Sequence, residues 1–407
     1  MKQVRLLLLF GILSSFPALA QPVGLSRIEL VESIPIETVL DNPDIRNTQE
    51  VWLEMIDAAR GSLDIEQFYI SNKVHEPLEP IIQAIERAAQ RGVRIRLIAD
   101  ARFYKTYPET VDRLSKQGAI AVRIIDFGKL AGGVQHAKFF VVDGEDVFLG
   151  SQNFDWRALK HIHELGLRIR DRRVAAFYAD IFALDWRLAE KNDRSLLPQL
   201  LTPKRYERPV VLVQERDTLH LTPTASPIMF IPDSALWDEP FIVGLLDSAR
   251  TSVSLQFLGY DTRKRSGGEY RVLDDALRRA AARGVKVRLL VSDWEKDTPA
   301  ERSLKALSIV PNIEVKFSVV PEWSGGYVSF ARVEHCKFIL VDGRLFWLGT
   351  SNAEYSYFHT SRNVGVVVAA TTLAKRLEKI FSKSWDGPYV EPVRPTVKYE
   401  RRKHDGE

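Results

Sequence analysis

One string of chemistry-bearing residues occurs twice in this chain at a fixed offset, and that repetition restricts the fold to two like halves. His136-Ala-Lys138 leads to Asp143, and His335-Cys-Lys337 leads to Asp342, each member displaced by 199 positions. Gly150-Ser-Gln-Asn153 follows the first copy, and Gly349-Thr-Ser-Asn352 follows the second at the same offset. The repeat reaches further. Trp52–Arg60 before Ser62–Tyr69 corresponds to Phe241–Arg250 before Ser252–Gly259, and Ala88–Leu97 corresponds to Ala280–Leu289.

Each unit reads as the same series of elements. A helix of apolar spacing precedes a mixed strand, and a second helix ends at Gly92 or Gly284, a helix-stop residue. A strand follows at Val93–Ala99 or Val285–Val291. Lys138–Val142 and Lys337–Val341 are short apolar runs of the kind buried on both sheet faces. Asp143-Gly144 and Asp342-Gly343 then mark turns into the strands Val147–Leu149 and Leu345–Leu348. The fold class is α/β: two homologous α/β sandwich halves, packed about a pseudo-two-fold axis with one shared active site. The expected divisions are a signal at 1–20, a first half at 21–197, a linker at 198–209, a second half at 210–392 and a basic tail at 393–407. Pro198, Pro203 and Pro209 mark the join.

The first twenty residues have the form of a secretory signal: Lys2 and Arg5, an apolar run to Phe16, then Ala18-Leu-Ala20. The expected location is therefore exported, periplasmic or secreted. Without Lys2 and Arg5 the formal charge goes from +4 to +2, too little to argue by itself for nucleic acid or an anionic membrane. The tail Lys398–His404 reads as a solvated, frayed end. Cys336 is the single cysteine, so no intrachain disulfide can form. Its strand position directs it away from His335 and Lys337, as a small buried apolar residue.

Two imidazoles and two ammonium groups suit attack on a phosphate diester. A neutral imidazole can displace the leaving group, and a protonated one can donate to the departing oxygen. That requires different surroundings for His136 and His335. Lys138 and Lys337 would bind the non-bridging oxygens, with Asn153 and Asn352 as further catalytic donors and Ser151, Thr350, Ser351 and Asn363 as substrate-binding groups. A histidine and the lysine two residues later share one strand face. Asp143 and Asp342 lie past the strand ends and read as structural turn residues. Glu164 corresponds to Asn363 at the same offset, and a carboxylate supports an imidazole cation where an amide does not. One such string alone would read as strand-end surface residues; two in register, each with its Gly-(Ser/Thr)-x-Asn turn, do not.

These residues resemble the phospholipase D superfamily over nearly the whole mature chain. Leu30–Pro35, Leu63–Tyr69, His136–Asp143, Leu149–Arg157 and Gly349–Asn352 are similar to the branch of animal lysosomal phospholipase-D-like five-prime exonucleases and related poxvirus proteins. The resemblance implies a phosphohistidine intermediate on His136, His335 as acid/base, and no metal or other cofactor. It implies that Glu164 supports His335 across the halves, with Asn363 facing His136. Asn363 departs from the acid found in many phospholipases.

The implied partner is a phosphodiester substrate, single-stranded nucleic acid before phospholipid. A phospholipid would require transient contact with a membrane surface. Nothing in the sequence calls for an obligatory protein partner. The alternatives are a phospholipase D or phosphatidyl transferase, and a catalytically silent binding protein. Phe68, Tyr69, Phe257, Tyr260, Trp323, Tyr327, Tyr357 and Phe358 lie near the motifs and serve either base stacking or core packing. Pro321–Phe330 reads as a rim of the site, and Phe127–Gly133 as its equivalent. His161 and His163 flank Glu164 without a thiolate or carboxylate cluster in sequence, so metal binding is not expected there.

Overall fold

The computed structural model describes residues 27–214 and 217–401. The signal expected at 1–20 and the end of the basic tail lie outside them. Each half builds one mixed sheet. The first half contributes β1 (Ile28–Ser33), β2 (Ser62–Gln67), β3 (Arg94–Asp100), β4 (Ile120–Ile125), β5 (Phe139–Val142), β6 (Asp146–Gly150) and β7 (Ile162–Arg170), in the order β1-β7-β6-β5-β2-β3-β4. The second contributes β8 (Val210–Gln214), β9 (Asp217–Ser226), β10 (Ser252–Phe257), β11 (Lys286–Ser292), β12 (Ile313–Ser318), β13 (Val333–Glu334), β14 (Phe338–Val341), β15 (Leu345–Gly349), β16 (Asn363–Ala369) and β17 (Val390–Pro392). Its order, β8-β9-β16-β15-β14-β10-β11-β12-β17, repeats the first from β9 to β12; β17 adds one edge, and antiparallel β8 takes the other, where the first sheet has the two-residue parallel strand Arg46–Asn47. The duplication in the sequence is thus a duplication of topology.

Alternation along the strands divides the core. Phe139 and Val141 point inward to a cluster that also holds Phe338, Leu340, Val364 and Val366 of the second half. Phe140 and Val142 point outward to Trp52, Ile81 and Ile85, on the helices Thr48–Ala58 and Glu79–Gln90. The second half repeats this outer layer with the helices Asp238–Ser248 and Val272–Ala282. The helices Arg172–Leu188 and Thr371–Trp385 lie in the inner layer, and the Tyr178 hydroxyl donates to Gly365 O at 2.8 Å across the halves. Burial of this inner layer joins the halves through one apolar core. The join itself carries a short helix, Leu197–Leu200, with Leu197 buried in that core.

The tail departs from the expected frayed end. Tyr399 is buried against Phe317, its hydroxyl donating to Pro392 O at 2.9 Å and accepting from Arg394 N at 2.7 Å. A large amphipathic ring gains more by covering the apolar end of β12 than by staying in water.

The motif aspartates hold turns. Asp143 (φ 51°) accepts backbone N–H groups from Arg60, Gly61 and Ser62 at 3.0, 2.7 and 2.8 Å. Asp342 does the same for Arg250, Thr251 and Ser252. Burial would raise the Asp143 carboxyl, but the three backbone donors outweigh it and hold it below its ordinary range. Asp143→Ala is expected to cost about 1–3 kcal/mol, the scale for stranding such donors, and to leave turnover within about twofold. Urea unfolding and a diesterase assay on the same variant check both parts.

Candidate active site

Two strand crossings bring the motifs together. On one side β13 lies parallel to β7, and His335 N donates to His163 O at 2.8 Å. On the other, Gln135 bridges Arg362 in parallel, and His136 N donates to Arg362 O at 2.9 Å. Each motif histidine is therefore hung on the backbone just before the supporting residue of the opposite half. Gly133 must be glycine for this approach, because a Cβ there would lie 2.3 Å from Thr360 O.

The side chains meet as those crossings dictate. Glu164 Oε2 lies 2.8 Å from His335 Nδ1, and Asn363 Oδ1 lies 3.0 Å from His136 Nδ1. Asn363 is held in one orientation. Its Nδ2 donates to Tyr357 O at 2.8 Å and Ser361 O at 3.4 Å, and its Oδ1 accepts from the Thr350 hydroxyl at 2.8 Å. Carbonyl oxygens only accept, so the amide nitrogen must face them. The oxygen facing His136 is then an acceptor, Nδ1 carries the hydrogen, and the lone pair sits on Nε2. The amide thus holds His136 as a neutral imidazole with Nε2 free to accept.

Electrostatics reinforce that state. Burial, then Lys138 and Lys337, push the His136 imidazole well below its ordinary range. Burial also pushes both lysines down, Lys337 to about 7. Lys138 Nζ and Lys337 Nζ donate to the carbonyls of His136 and His335 at 2.6 and 2.5 Å. At His335 the expectation that a carboxylate simply lifts the imidazole needs correction. Burial and the two lysines push His335 down, while burial pushes Glu164 up to about 8. The proton belongs to the hydrogen-bonded pair rather than to either group.

Four other residues expected at the substrate lie behind the site. Ser151, Thr350, Ser351 and Asn363 are fully buried. Ser151 donates to Leu165 O at 3.3 Å and accepts from Leu165 N at 3.0 Å, while Thr350, which donates to Asn363, accepts from Val364 N at 3.1 Å. The Ser351 hydroxyl faces Asp238 at 3.4 Å, and Asn363 serves His136. His136, His335, Asn153 and Asn352 line a cavity of about 540 Å³ between the halves.

The cavity walls hold residues that sequence reasoning missed. Phe103 packs 4.0 Å from Phe68 and stacks with Tyr69 at 5.6 Å, and Tyr69 stacks with Tyr107 at 5.1 Å (ring centroids). Arg102, Arg157, Arg263 and Arg265 also line it. No local motif marks them, because distant loops deliver them. Of the eight aromatics singled out from sequence, Phe68, Tyr69 and Tyr357 line the cavity, while Phe257, Tyr260 and Phe358 fill the second outer core. Trp323 packs on His161, 5.0 Å between ring centroids. The rim expected at Pro321–Phe330 is anchored by Arg157 on Ser329 O and Glu37 on Ser324, and only Phe330 of it lines the cavity. The stretch expected as its equivalent, Phe127–Gly133, begins as the short helix Phe127–Ala131 with Phe127 and Leu130 in the inner core, and its Gly132 and Gly133 line the cavity. Among the described residues no group of three or more His, Cys, Asp or Glu side chains could hold a metal ion.

The family model described as cardiolipin synthase, PLD-like domain, matches residues 52–186 and 242–385. The chain belongs to the phospholipase D superfamily. It is a phosphodiesterase of that superfamily and falls in the exonuclease-like branch. It is 32% identical to the 5′-3′ exonuclease PLD3 of Bos taurus, covering 88% of this chain and 79% of that one. It is 29% identical to a probable phospholipase D of Caenorhabditis elegans, covering 91% and 73%. Among solved structures, phosphatidylserine synthase of Haemophilus influenzae Rd KW20 superposes with a TM-score of 0.64 at 13% identity, over 86% of each chain. That likeness is one of fold.

Proposed function

We propose that this phosphodiesterase trims single-stranded nucleic acid from an end, through a phosphohistidine on His136. The observation that carries the substrate class is the cavity wall. A nucleic acid strand brings a planar ring and a negative charge at every step, whereas a phospholipid headgroup is joined to two acyl chains. Stacked rings beside Arg102 and Arg265, with Arg157 and Arg263 held by Asp155 and Asp261, fit the former. Relatives named as 5′-3′ exonucleases support the end-directed reading. Residues 1–20 support export of the enzyme.

In the first step His136 Nε2 attacks phosphorus, the P–O bond to the leaving group breaks, and that oxygen takes the proton of the Glu164–His335 pair. In the second, the deprotonated pair removes a proton from water, which attacks phosphorus and breaks the P–N bond. Lys138 and Lys337 regain full charge beside the anion and stabilise the charge that grows on its non-bridging oxygens.

Mature protein incubated with end-labelled single-stranded DNA, and separately with phosphatidylcholine vesicles, tests the substrate. Progressive trimming without choline release is expected. Choline release without trimming would establish a phospholipase D, and neither would leave a binding protein.

A further inference from the structure

The back of the β7–β13 crossing carries a second charged pair with the roles exchanged between strands. His163 lies opposite Glu334 in the register. Successive strand residues face opposite ways, so Glu164 and His335 share the cavity face while His163 and Glu334 share the other. His163 Nδ1 lies 3.0 Å from Glu334 Oε2, and its Nε2 lies 2.8 Å from Glu32 Oε1 on β1. Asn42 donates to both Glu32 oxygens at 2.8 and 3.1 Å. Gln256 on β10 and Ser318 on β12 donate to Glu334 at 2.5 and 3.0 Å. A ring with a carboxylate oxygen at each nitrogen must carry two hydrogens, so His163 is an imidazolium.

Packing alone does not call for this arrangement, because burying three charges is costly and apolar residues would hold a crossing as well. The other crossing also buries charge behind it, but in a different arrangement. There Arg362 stands in place of His163 and Gln135 in place of Glu334, and they do not meet. Arg362 bonds Asp185 at 2.6 and 2.7 Å, and Gln135 bonds Glu66 at 3.0 Å. Buried polar side chains thus back both crossings, but only behind the acid/base pair does the residue next to the supporting group pair directly with its counterpart on the opposing strand.

We propose that His163, gripped between Glu32 and Glu334, is a positioning residue that fixes Glu164 against His335 and places a positive charge behind them. The inference rests on the acid/base reading of that pair. Three cations act on Glu164: Lys337 and Lys138 from the cavity side and His163 from behind. Burial would lower His163 itself, but Glu32 and Glu334 outweigh it and raise it to about 10, so the charge persists at ordinary pH.

The test compares the full chain with His163→Gln, His163→Lys and Glu334→Gln, each checked for a cooperative melt. The substrate is bis(p-nitrophenyl) phosphate, followed from about pH 5 to 10, with ¹⁵N-imidazole titration of His335 alongside. His163→Gln is expected to lower kcat roughly tenfold with KM within about twofold, and to raise the pair's midpoint by roughly half a unit. Glu334→Gln is expected to lower kcat and move the midpoint the opposite way. His163→Lys, which keeps the charge, is expected to restore most of the turnover. If His163→Gln does not fold, the opposite shift in Glu334→Gln carries the test. Unchanged midpoints in the folded variants, or equal losses in His163→Lys and His163→Gln, overturn the proposal. If the parent hydrolyses no diester, the functional reading fails, and the NMR midpoints still decide whether His163 acts on the pair.

Discussion

His136→Ala is expected to form no covalent adduct and to lower kcat roughly 10⁴-fold or more, the scale seen when a covalent enzyme loses its nucleophile or base. KM is expected to move little, because Lys138, Lys337, Asn153 and Asn352 still surround the phosphate. Asn363 sets the difference between the histidines: its amide is fixed by Tyr357 O and Ser361 O and so leaves the Nε2 lone pair of His136 free. His335 has no such fixed neutral state, since it shares a proton with Glu164. Rapid acid quench with a radiolabelled diester, followed by separation of the denatured protein, measures the adduct. His335→Ala is expected to slow both steps and to retain any adduct it forms. Label that persists in His136→Ala and vanishes in His335→Ala would exchange the two roles.

Glu164→Gln is expected to lower kcat roughly 10²-fold at neutral pH, within the range for a general acid/base contribution. The sign of its pH effect follows from the pair. Burial raises the Glu164 carboxyl to about 8, so the parent's acid is protonated below that pH and its rate falls as pH rises through it. With glutamine, His335 alone must hold the proton, while burial, Lys337 and Lys138 push it below its ordinary range. The alkaline limb should therefore move down, to the acid side of neutrality. The acid limb, set by protonation of His136, should stay in place. A kcat–pH profile of parent and variant decides the matter, and an unmoved alkaline limb would remove Glu164 from the acid/base unit.

The sequence carried the topology and the reacting groups because both are local or repeated. Strands such as Phe139–Val142 are set by short apolar runs, and the copy 199 residues on reports the second sheet. The pairing of Glu164 with His335 was accessible through a family likeness, and the offset alone marked its inequality with Asn363. The inward turn of Ser151, Thr350 and Ser351 was not accessible, because motif proximity does not reveal which side of a strand end faces the cavity. Arg102 and Tyr107 reach the cavity from one segment, and Arg157 and Phe330 from two others, and nothing periodic links them. His163 stands beside Glu164 in the sequence, but its partners Glu32 and Glu334 lie 131 and 171 residues away.

The fixed amide of Asn363 has a consequence for traffic through the cavity. The frame is nearly symmetric, so a strand of substrate could be laid in it from either end. Each lay puts a different ester oxygen of the phosphate beside the one group that can give it a proton. Turned around, the same phosphate would lose its other P–O bond. On the proposed nuclease reading, one amide in place of one carboxylate thus ties the lay of the strand to the bond that breaks, and so to the fragment that keeps the phosphate.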